Sequence, residues 1–131
     1  AHIGDSRLYL RRNGTTTQIS EDHVRVWRRF QRGEIKEYQY RNHPRRSALY
    51  DVLGGGNRGI TPQLLSYPVE SGDRLLLCSD GIVDGLWERN ISEEMGTAGP
   101  PRTIADNILT RAAQNDGRDD CTLIVADIEG L

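Results

Sequence analysis

The segment LLLCSDGIVDGL, residues 75–86, is the part of the sequence that says most about the fold. Four apolar residues lead into Ser79-Asp80-Gly81, and a second aspartate, Asp84, follows four positions after the first. The run is apolar at successive positions, which predicts a strand in the centre of a sheet. A carboxylate at the end of a buried strand costs free energy unless a cation compensates it. The segment therefore predicts an aspartate at the exit of a central strand, with a cation close to it.

The composition is that of a soluble globular domain. The chain has 131 residues, of which 36% are hydrophobic and 27% charged, enough for one domain with a moderate core. No apolar run reaches membrane-spanning length and no secretory segment is present, so we expect a cytoplasmic protein without a membrane segment. The first residues, AHIGDS, lack an initiator Met, which predicts a missing upstream segment. Cys78 and Cys121 lie in apolar, strand-like runs and are expected to be free thiols.

The charge pattern includes one basic concentration. The net charge of −2 argues against a nucleic-acid-binding protein, although the chain has sixteen arginines and one lysine. Helical spacing places four arginines on the outer face of one helix: Arg25, Arg28, Arg29 and Arg32. Val24, Trp27 and Phe30 would form the inner face. This basic face is either solvated surface or a docking site for an anionic substrate or partner.

The pattern of elements predicts an α+β fold with strands first and helices later. HIGDSRLYLRR, the turn NGT and TTQIS predict a hairpin, and a helix is expected over 21–32, capped by Ser20 and ended by Gly33. A flap-like segment at about 33–62 reads as loop apart from a short strand at 48–53. QLLSYPV and RLLLCS predict a second hairpin around the turn ESGD. A helix beginning near Thr103 and ending at Gly117 precedes the last strand, CTLIVADI.

Aspartates stand beside several of the predicted strands. Asp5 lies in the first strand, Asp80 leaves the central strand, Asp84 follows one helical turn later, and Asp119 with Asp120 precedes the final strand. Carboxylates that converge repel one another, so protonation or a cation must hold them together. Hard oxygen ligands suit Mg²⁺ or Mn²⁺, and the three scattered histidines disfavour zinc.

Five motifs in order resemble a known family. They are GDSRLYL, SEDHV, RGEI followed by RNHPRR, SGDRLLLCSDGIVDGL, and GRDDCTLIV. Their order and spacing are similar to those of the metal-dependent protein phosphatases, the PPM or type 2C serine/threonine phosphatases, in their bacterial branch. The resemblance covers residues 1–131 but only the C-terminal half of such a domain. The family's early Asp-Gly-(Met/His)-Gly-Gly motif and the arginine that grips phosphate are not in this sequence. The implied fold is part of an α-β-β-α sandwich of two antiparallel sheets flanked by helices.

The resemblance also implies roles for the aspartates. Asp80 and Asp119 match catalytic ligands of one metal, and Asp120 replaces the family's asparagine, as in the sporulation and stress-response branch. Asp5 and Asp84, with Asp80, match the ligands of a weaker third metal. In the family two Mn²⁺ or Mg²⁺ ions activate a water that attacks phosphoserine or phosphothreonine of a protein substrate.

The same resemblance implies that this chain is inactive alone. It lacks the motif that bridges the two metals, so it would need the missing N-terminal half or another copy of itself. Two alternatives remain open from the sequence. One is a catalytically silent phosphatase-like module that binds or regulates a partner. The other is a generic magnesium-dependent hydrolase, which is disfavoured because no Asp-x-Asp nucleophile motif stands near the start.

Overall fold

The computed structural model describes residues 1–54, 56 and 59–130, and it confirms the α+β class. In chain order the elements are β1 (Arg7–Arg12), β2 (Thr15–Gln18), α1 (Trp27–Gln31), α2 (Glu37–Arg41), β3 (Arg74–Cys78), α3 (Asp80–Gly85), α4 (Glu88–Met95), α5 (Pro101–Asn115) and β4 (Leu123–Asp127). They form two compact units. The helix unit comprises Ala1–Asp5 and Ser20–Leu65, and the sheet unit comprises Ser6–Ile19 and Ser66–Leu131.

The sheet unit contains a four-stranded antiparallel sheet in the order β2-β1-β3-β4. The first hairpin is confirmed: Asn13 and Gly14 at its turn have φ of 49° and 79°, the left-handed values that a tight hairpin requires. The central position of β3 is also confirmed, because it pairs with β1 on one side and β4 on the other. The last predicted strand is present as β4.

One face of this sheet is covered by helices. The buried cluster joins side chains of β1 and β3 to side chains of α3, α4 and α5, namely Tyr9, Leu76, Cys78, Ile82, Val83, Leu86, Ile91, Met95, Ile104, Ile108 and Ala112. On the opposite face Leu77 of β3 and Ile124 of β4 are 46% and 61% exposed. The described residues thus form one sheet with a helical layer on one side, and a second sheet stays a prediction.

The helix unit has a small aromatic core. The rings of Trp27, Phe30 and Tyr40 lie with their centroids 5.2 to 5.7 Å apart. Val24, Val26 and Ile35 complete the cluster. The inner face predicted for the basic helix is therefore correct, and α1 and α2 are held together by it.

The predicted helix over 21–32 is wrong at its N-terminal end, since α1 begins at Trp27. The Asp22 carboxylate is buried and accepts a hydrogen bond from the Tyr40 hydroxyl at 2.6 Å. The backbone N–H of His23 donates to the Gly4 carbonyl at 2.8 Å. These contacts hold the chain before α1 out of the helix, and Ser20 is buried without capping it.

The predicted second hairpin is also wrong. Residues 63–69 form no strand, and Gln63 makes only an isolated bridge with His2. Both edges of β3 are occupied by β1 and β4, so no edge is left for the preceding segment. Asp5 likewise lies just before β1 rather than inside it.

The segment 33–62 differs from its predicted form in two places. It contains the short helix α2, and the strand expected at 48–53 is reduced to one bridge between Leu49 and Val24. The flap interpretation stays a prediction and also covers residues 55, 57 and 58, which lie outside the described residues. Cys78 and Cys121 are free thiols, as predicted. Within the described ranges no helix has both the length and the apolar character to cross a membrane.

Candidate active site

Asp80 is the first residue of α3, directly after the exit of β3. It is half-buried, and its Oδ1 accepts the backbone N–H of Gly81 at 3.0 Å. Asp84 lies one turn later on the same helix, with one carboxylate oxygen buried. The sequence correctly placed both aspartates at the end of the central strand.

Asp119 lies in the segment that enters β4. Its Oδ1 accepts the backbone N–H of Asp120 at 2.8 Å, and both side chains are exposed. The register of β3 and β4 pairs Cys78 with Leu123, so the exit of β3 and the entrance of β4 meet at one end of the sheet. Asp80 and Asp119 therefore project from neighbouring segments at that end.

Ser79 joins these two segments, and the sequence analysis gave it no role. Its backbone N–H donates to the Thr122 carbonyl at 2.9 Å, and its hydroxyl donates to the Asp120 carbonyl at 3.2 Å. The Thr122 N–H donates to Ser79 Oγ at 3.1 Å. Ser79 thus donates two hydrogen bonds and accepts one, and together they fix the distance between the Asp80 turn and the segment that carries Asp119.

Gly81 makes the closest approach between the same segments. A Cβ on Gly81 would lie 2.5 Å from the Asp120 carbonyl oxygen, closer than any side chain tolerates. Glycine is required at this position because there is no room for a side chain, and its φ is one that other residues also adopt. The only sequence signal was the Asp-Gly pair itself, which is typical of an ordinary turn.

The pKa of the Cys121 thiol depends on the negative charge at this end of the sheet. Burial raises the pKa of Cys121 above its ordinary value, and the carboxylates of Asp119, Asp120, Asp116 and Asp80 raise it further. Carboxylates from both segments therefore act on one group. The thiol is protonated at neutral pH, which makes it a poor nucleophile.

Helix α3 is fixed from behind by α5. A Cβ on Gly85 would collide with the backbone of Ala112, and the Asn115 side-chain amide donates to the Gly85 carbonyl at 3.0 Å. This close packing sets the direction of α3 and hence of Asp84. Neither Gly85 nor Asn115 was singled out from the sequence.

A partly buried ion pair connects β1 to α4. Arg7 donates to the Glu88 carboxylate at 2.5 Å and to the Tyr9 hydroxyl at 3.0 Å, and that hydroxyl donates to Glu88 at 3.0 Å. Burial raises the pKa of Tyr9 well above its ordinary value, so its hydroxyl keeps its proton. The network holds α4 against the sheet.

The donor set at Asp80 and Asp119 fits a hard divalent cation. Both side chains offer carboxylate oxygens. The close approach of Gly81 to Asp120 also places the Asp120 carbonyl oxygen beside the Asp80 turn. Among the residues that the structure describes, no group of three or more His, Cys, Asp and Glu side chains is arranged to hold a metal. Asp5 belongs to the helix unit. The ligand roles of the four aspartates stay predictions.

Known proteins are similar to this chain in sequence and fold. The family model described as Stage II sporulation protein E matches residues 52–129. The serine/threonine protein phosphatase PstP of Mycobacterium tuberculosis is 35% identical over 127 residues, which are 97% of this chain and 24% of PstP. A crystal structure of that phosphatase superposes with a TM-score of 0.86 at 36% identity and covers 98% of this chain and 54% of the other.

A second structure is informative about metals. The catalytic domain of PstP in complex with two manganese ions superposes with a TM-score of 0.84 at 31% identity, covering 98% of this chain and 52% of that domain chain. The family match, the sequence identity and the superposition agree with one another. The chain therefore belongs to the Stage II sporulation protein E family, among the PPM serine/threonine phosphatases, and spans about half the length of these solved relatives.

Proposed function

We propose that this chain supplies the C-terminal metal-binding half of a metal-dependent protein serine/threonine phosphatase. One observation carries the proposal: Ser79 hydrogen-bonds the Asp80 turn to the Asp119–Thr122 segment, which brings two carboxylate-bearing segments to one end of the sheet. The family assignment supports the reaction class, hydrolysis of a phosphomonoester. The substrate would be a protein carrying phosphoserine or phosphothreonine.

Asp80 and Asp119 would hold a Mn²⁺ or Mg²⁺ ion. Manganese in the PstP structure supports this metal class for the family. A divalent ion bound there supplies Lewis acidity, which lowers the pKa of a water and offsets charge on the phosphoryl group. Asp84 and Asp5 would contribute, with Asp80, to a weaker third ion.

The neighbouring residues of this chain would act by positioning. Ser79 fixes where the Asp80 backbone starts, and the Gly81 contact sets how closely the Asp120 backbone approaches. Asp120, at the position of the family's asparagine, adds a negative charge beside the pair. That charge would favour binding of a cation and would disfavour an anionic phosphoryl group that arrives without one.

The chain by itself is proposed to be inactive. Ligands for the second catalytic ion would come from the missing N-terminal half or from another copy of the chain. The open sheet face that exposes Leu77 and Ile124 supports such a partner, because contiguous apolar surface of this kind is usually covered. A cytoplasmic location belongs to the same proposal.

Metal titration tests the site directly. Isothermal titration of Mn²⁺ should show binding by the chain and a loss of affinity of about tenfold or more in Asp80→Asn and Asp119→Asn, because each loses one charged oxygen ligand. Asp106→Asn, which removes an exposed carboxylate from α5, is the matched control and should bind Mn²⁺ unchanged.

Two results would contradict the proposal. Equal Mn²⁺ affinity in Asp80→Asn and Asp106→Asn would show that Asp80 does not bind the metal. This result would favour a phosphatase-like binding or regulatory module. Robust turnover of p-nitrophenyl phosphate with Mn²⁺ by the 131-residue chain alone would contradict the expected inactivity. We expect negligible turnover.

A further inference from the structure

The helix unit contains a cavity lined by two arginines. Arg25 and Arg28 line a space of about 360 Å³ together with Val24 and Tyr50. We call this space the arginine cavity. Val24 is fully buried, whereas both arginines and Tyr50 are exposed, so the surface that a ligand can reach consists of two guanidinium groups and an aromatic ring.

The charges of Arg25 and Arg28 are available to a ligand. Within the described part of the chain neither guanidinium forms an ion pair with a carboxylate. Arg29 and Arg32, on the same basic face, both contact Glu34, at 3.4 and 2.7 Å. Glu34 thus offsets part of the charge of Arg29 and Arg32, whereas Arg25 and Arg28 at the cavity remain uncompensated within the described residues.

The aromatic wall of the cavity is held in place. The Tyr50 ring stacks on the His23 ring with centroids 5.3 Å apart and an interplanar angle of 21°, and the Tyr50 N–H donates to the His23 carbonyl at 2.9 Å. His23 itself is buried. A fixed aromatic face beside two planar guanidinium groups suits a ligand that has both apolar and carboxylate atoms.

The distribution of charge favours an anionic partner at the helix unit. That unit has nine basic and six acidic residues, a net charge of +3. The sheet unit has eight basic and thirteen acidic residues, a net charge of −5. Asp80, Asp84 and Asp119 therefore belong to the sheet unit and the uncompensated arginines to the helix unit, and anion binding at the arginines needs no metal.

We propose that the arginine cavity docks an acidic segment of the protein substrate, with Asp or Glu side chains on Arg25 and Arg28 and an apolar neighbour against the Tyr50 ring. The inference rests on the proposed phosphatase function for the identity of the partner. A protein segment fits better than a nucleic acid, because a phosphate backbone is bound by an extended basic stripe rather than two arginines at one cavity.

A binding measurement without metal tests the docking site. Fluorescence anisotropy of a labelled, unphosphorylated Asp/Glu-rich peptide with one leucine would be recorded in EDTA, beside the same peptide with Asn and Gln. We expect binding of the acidic peptide only, weakening with salt. Arg25→Gln/Arg28→Gln should weaken it about five- to tenfold.

The matched control removes the same charge elsewhere. Arg89→Gln/Arg102→Gln alters two exposed arginines of the sheet unit and should change the affinity less than about twofold. Equal weakening by both double variants, or no binding of the acidic peptide by the unaltered chain, would overturn the proposal. Tighter binding of a single-stranded RNA of equal charge would also overturn it.

Two further measurements keep the test decisive. Circular dichroism would verify that the variants fold, and Arg25→Lys/Arg28→Lys, which keeps charge but loses the bidentate geometry, should weaken binding at least about twofold. Unchanged affinity in this variant would count against the guanidinium contacts. Because the assay contains no metal, equal Mn²⁺ affinity in Asp80→Asn and Asp106→Asn, which would contradict the proposed function, would leave the peptide result unaffected, so the two proposals fail separately.

Discussion

Gly81→Ala perturbs the contact that joins the two aspartate-bearing segments. The added Cβ would lie 2.5 Å from the Asp120 carbonyl oxygen and 3.1 Å from its carbonyl carbon, whereas ordinary contacts begin at 3.4 Å. The obstacle is backbone, which cannot rotate away as a flexible side chain could. The turn and the entrance to β4 must separate by roughly 0.9 Å, the difference between the 3.4 Å limit and the closest contact.

The free energy of unfolding should fall as a result. Because the obstacle is backbone, the cost lies in the upper part of the range for overpacking, about 2–3 kcal/mol, and the better helix propensity of alanine returns about 1 kcal/mol. The net loss is about 1–2 kcal/mol, which for a chain of this size lowers the melting temperature by about 4–8 °C. The Mn²⁺ affinity should fall about tenfold, because the carboxylates of the two segments are moved apart.

Differential scanning calorimetry and Mn²⁺ titration check both effects. Gly59→Ala is the matched control, since a Cβ there meets nothing within 4 Å and its φ is not in the left-handed region. That variant should change the stability by less than about 0.5 kcal/mol. If Gly81→Ala has the melting temperature and Mn²⁺ affinity of Gly59→Ala, the close approach does not organise the site and the reasoning is refuted.

Three other perturbations follow from the sheet unit. Ser79→Ala removes the side-chain hydrogen bonds to the β4 entrance and should lower stability by about 1–2 kcal/mol in urea unfolding, with weaker Mn²⁺ binding; unchanged unfolding would contradict its role. Glu88→Ala removes a carboxylate partner of the Arg7 guanidinium, which is 3% exposed, and should lower the free energy of unfolding by about 1–3 kcal/mol. An unchanged free energy of unfolding would show that the ion pair does not stabilise the fold. The hydrogen bond from Arg12 lowers the pKa of Asp73 from 3.8 to about 2. The ionised Asp73 therefore stabilises the fold above pH 4, and this stabilisation is lost as the pH falls toward 2. The melting temperature of Asp73→Asn should change less between pH 4 and pH 2 than that of the unaltered chain.

Local sequence signals predicted the parts of the fold that depend on neighbouring residues. The Asn13-Gly14 turn needs left-handed φ at both positions, and the strands on either side pair antiparallel as the hairpin signal predicts. The apolar run that became β3 was correctly placed in the centre of the sheet. The hairpin turn is decided by residues close in sequence, and the central place of β3 could be read from its own apolar run although its pairing partners are distant.

Where the prediction failed, a distant residue competed with the local pattern. Ser20 and its acidic neighbours have the composition of a helix start, but the Asp22 carboxylate is bound by Tyr40, eighteen positions later. The segment before β3 has the alternation of a strand, yet β1 and β4 occupy both edges of β3. No pattern within a short window carries information about such partners.

The sequence by itself determined which residues are proposed to hold the metal, Asp80 and Asp119, because the types and spacing of residues in a motif can be read without coordinates. Only the tertiary structure decided how their segments meet, through Ser79 and Gly81 against a backbone about forty positions away. The structure also separated Arg25 and Arg28 from the other arginines of the basic face. The physical reason is the same in each instance: burial and pairing depend on partners that folding brings from distant parts of the chain, whereas residue identity does not.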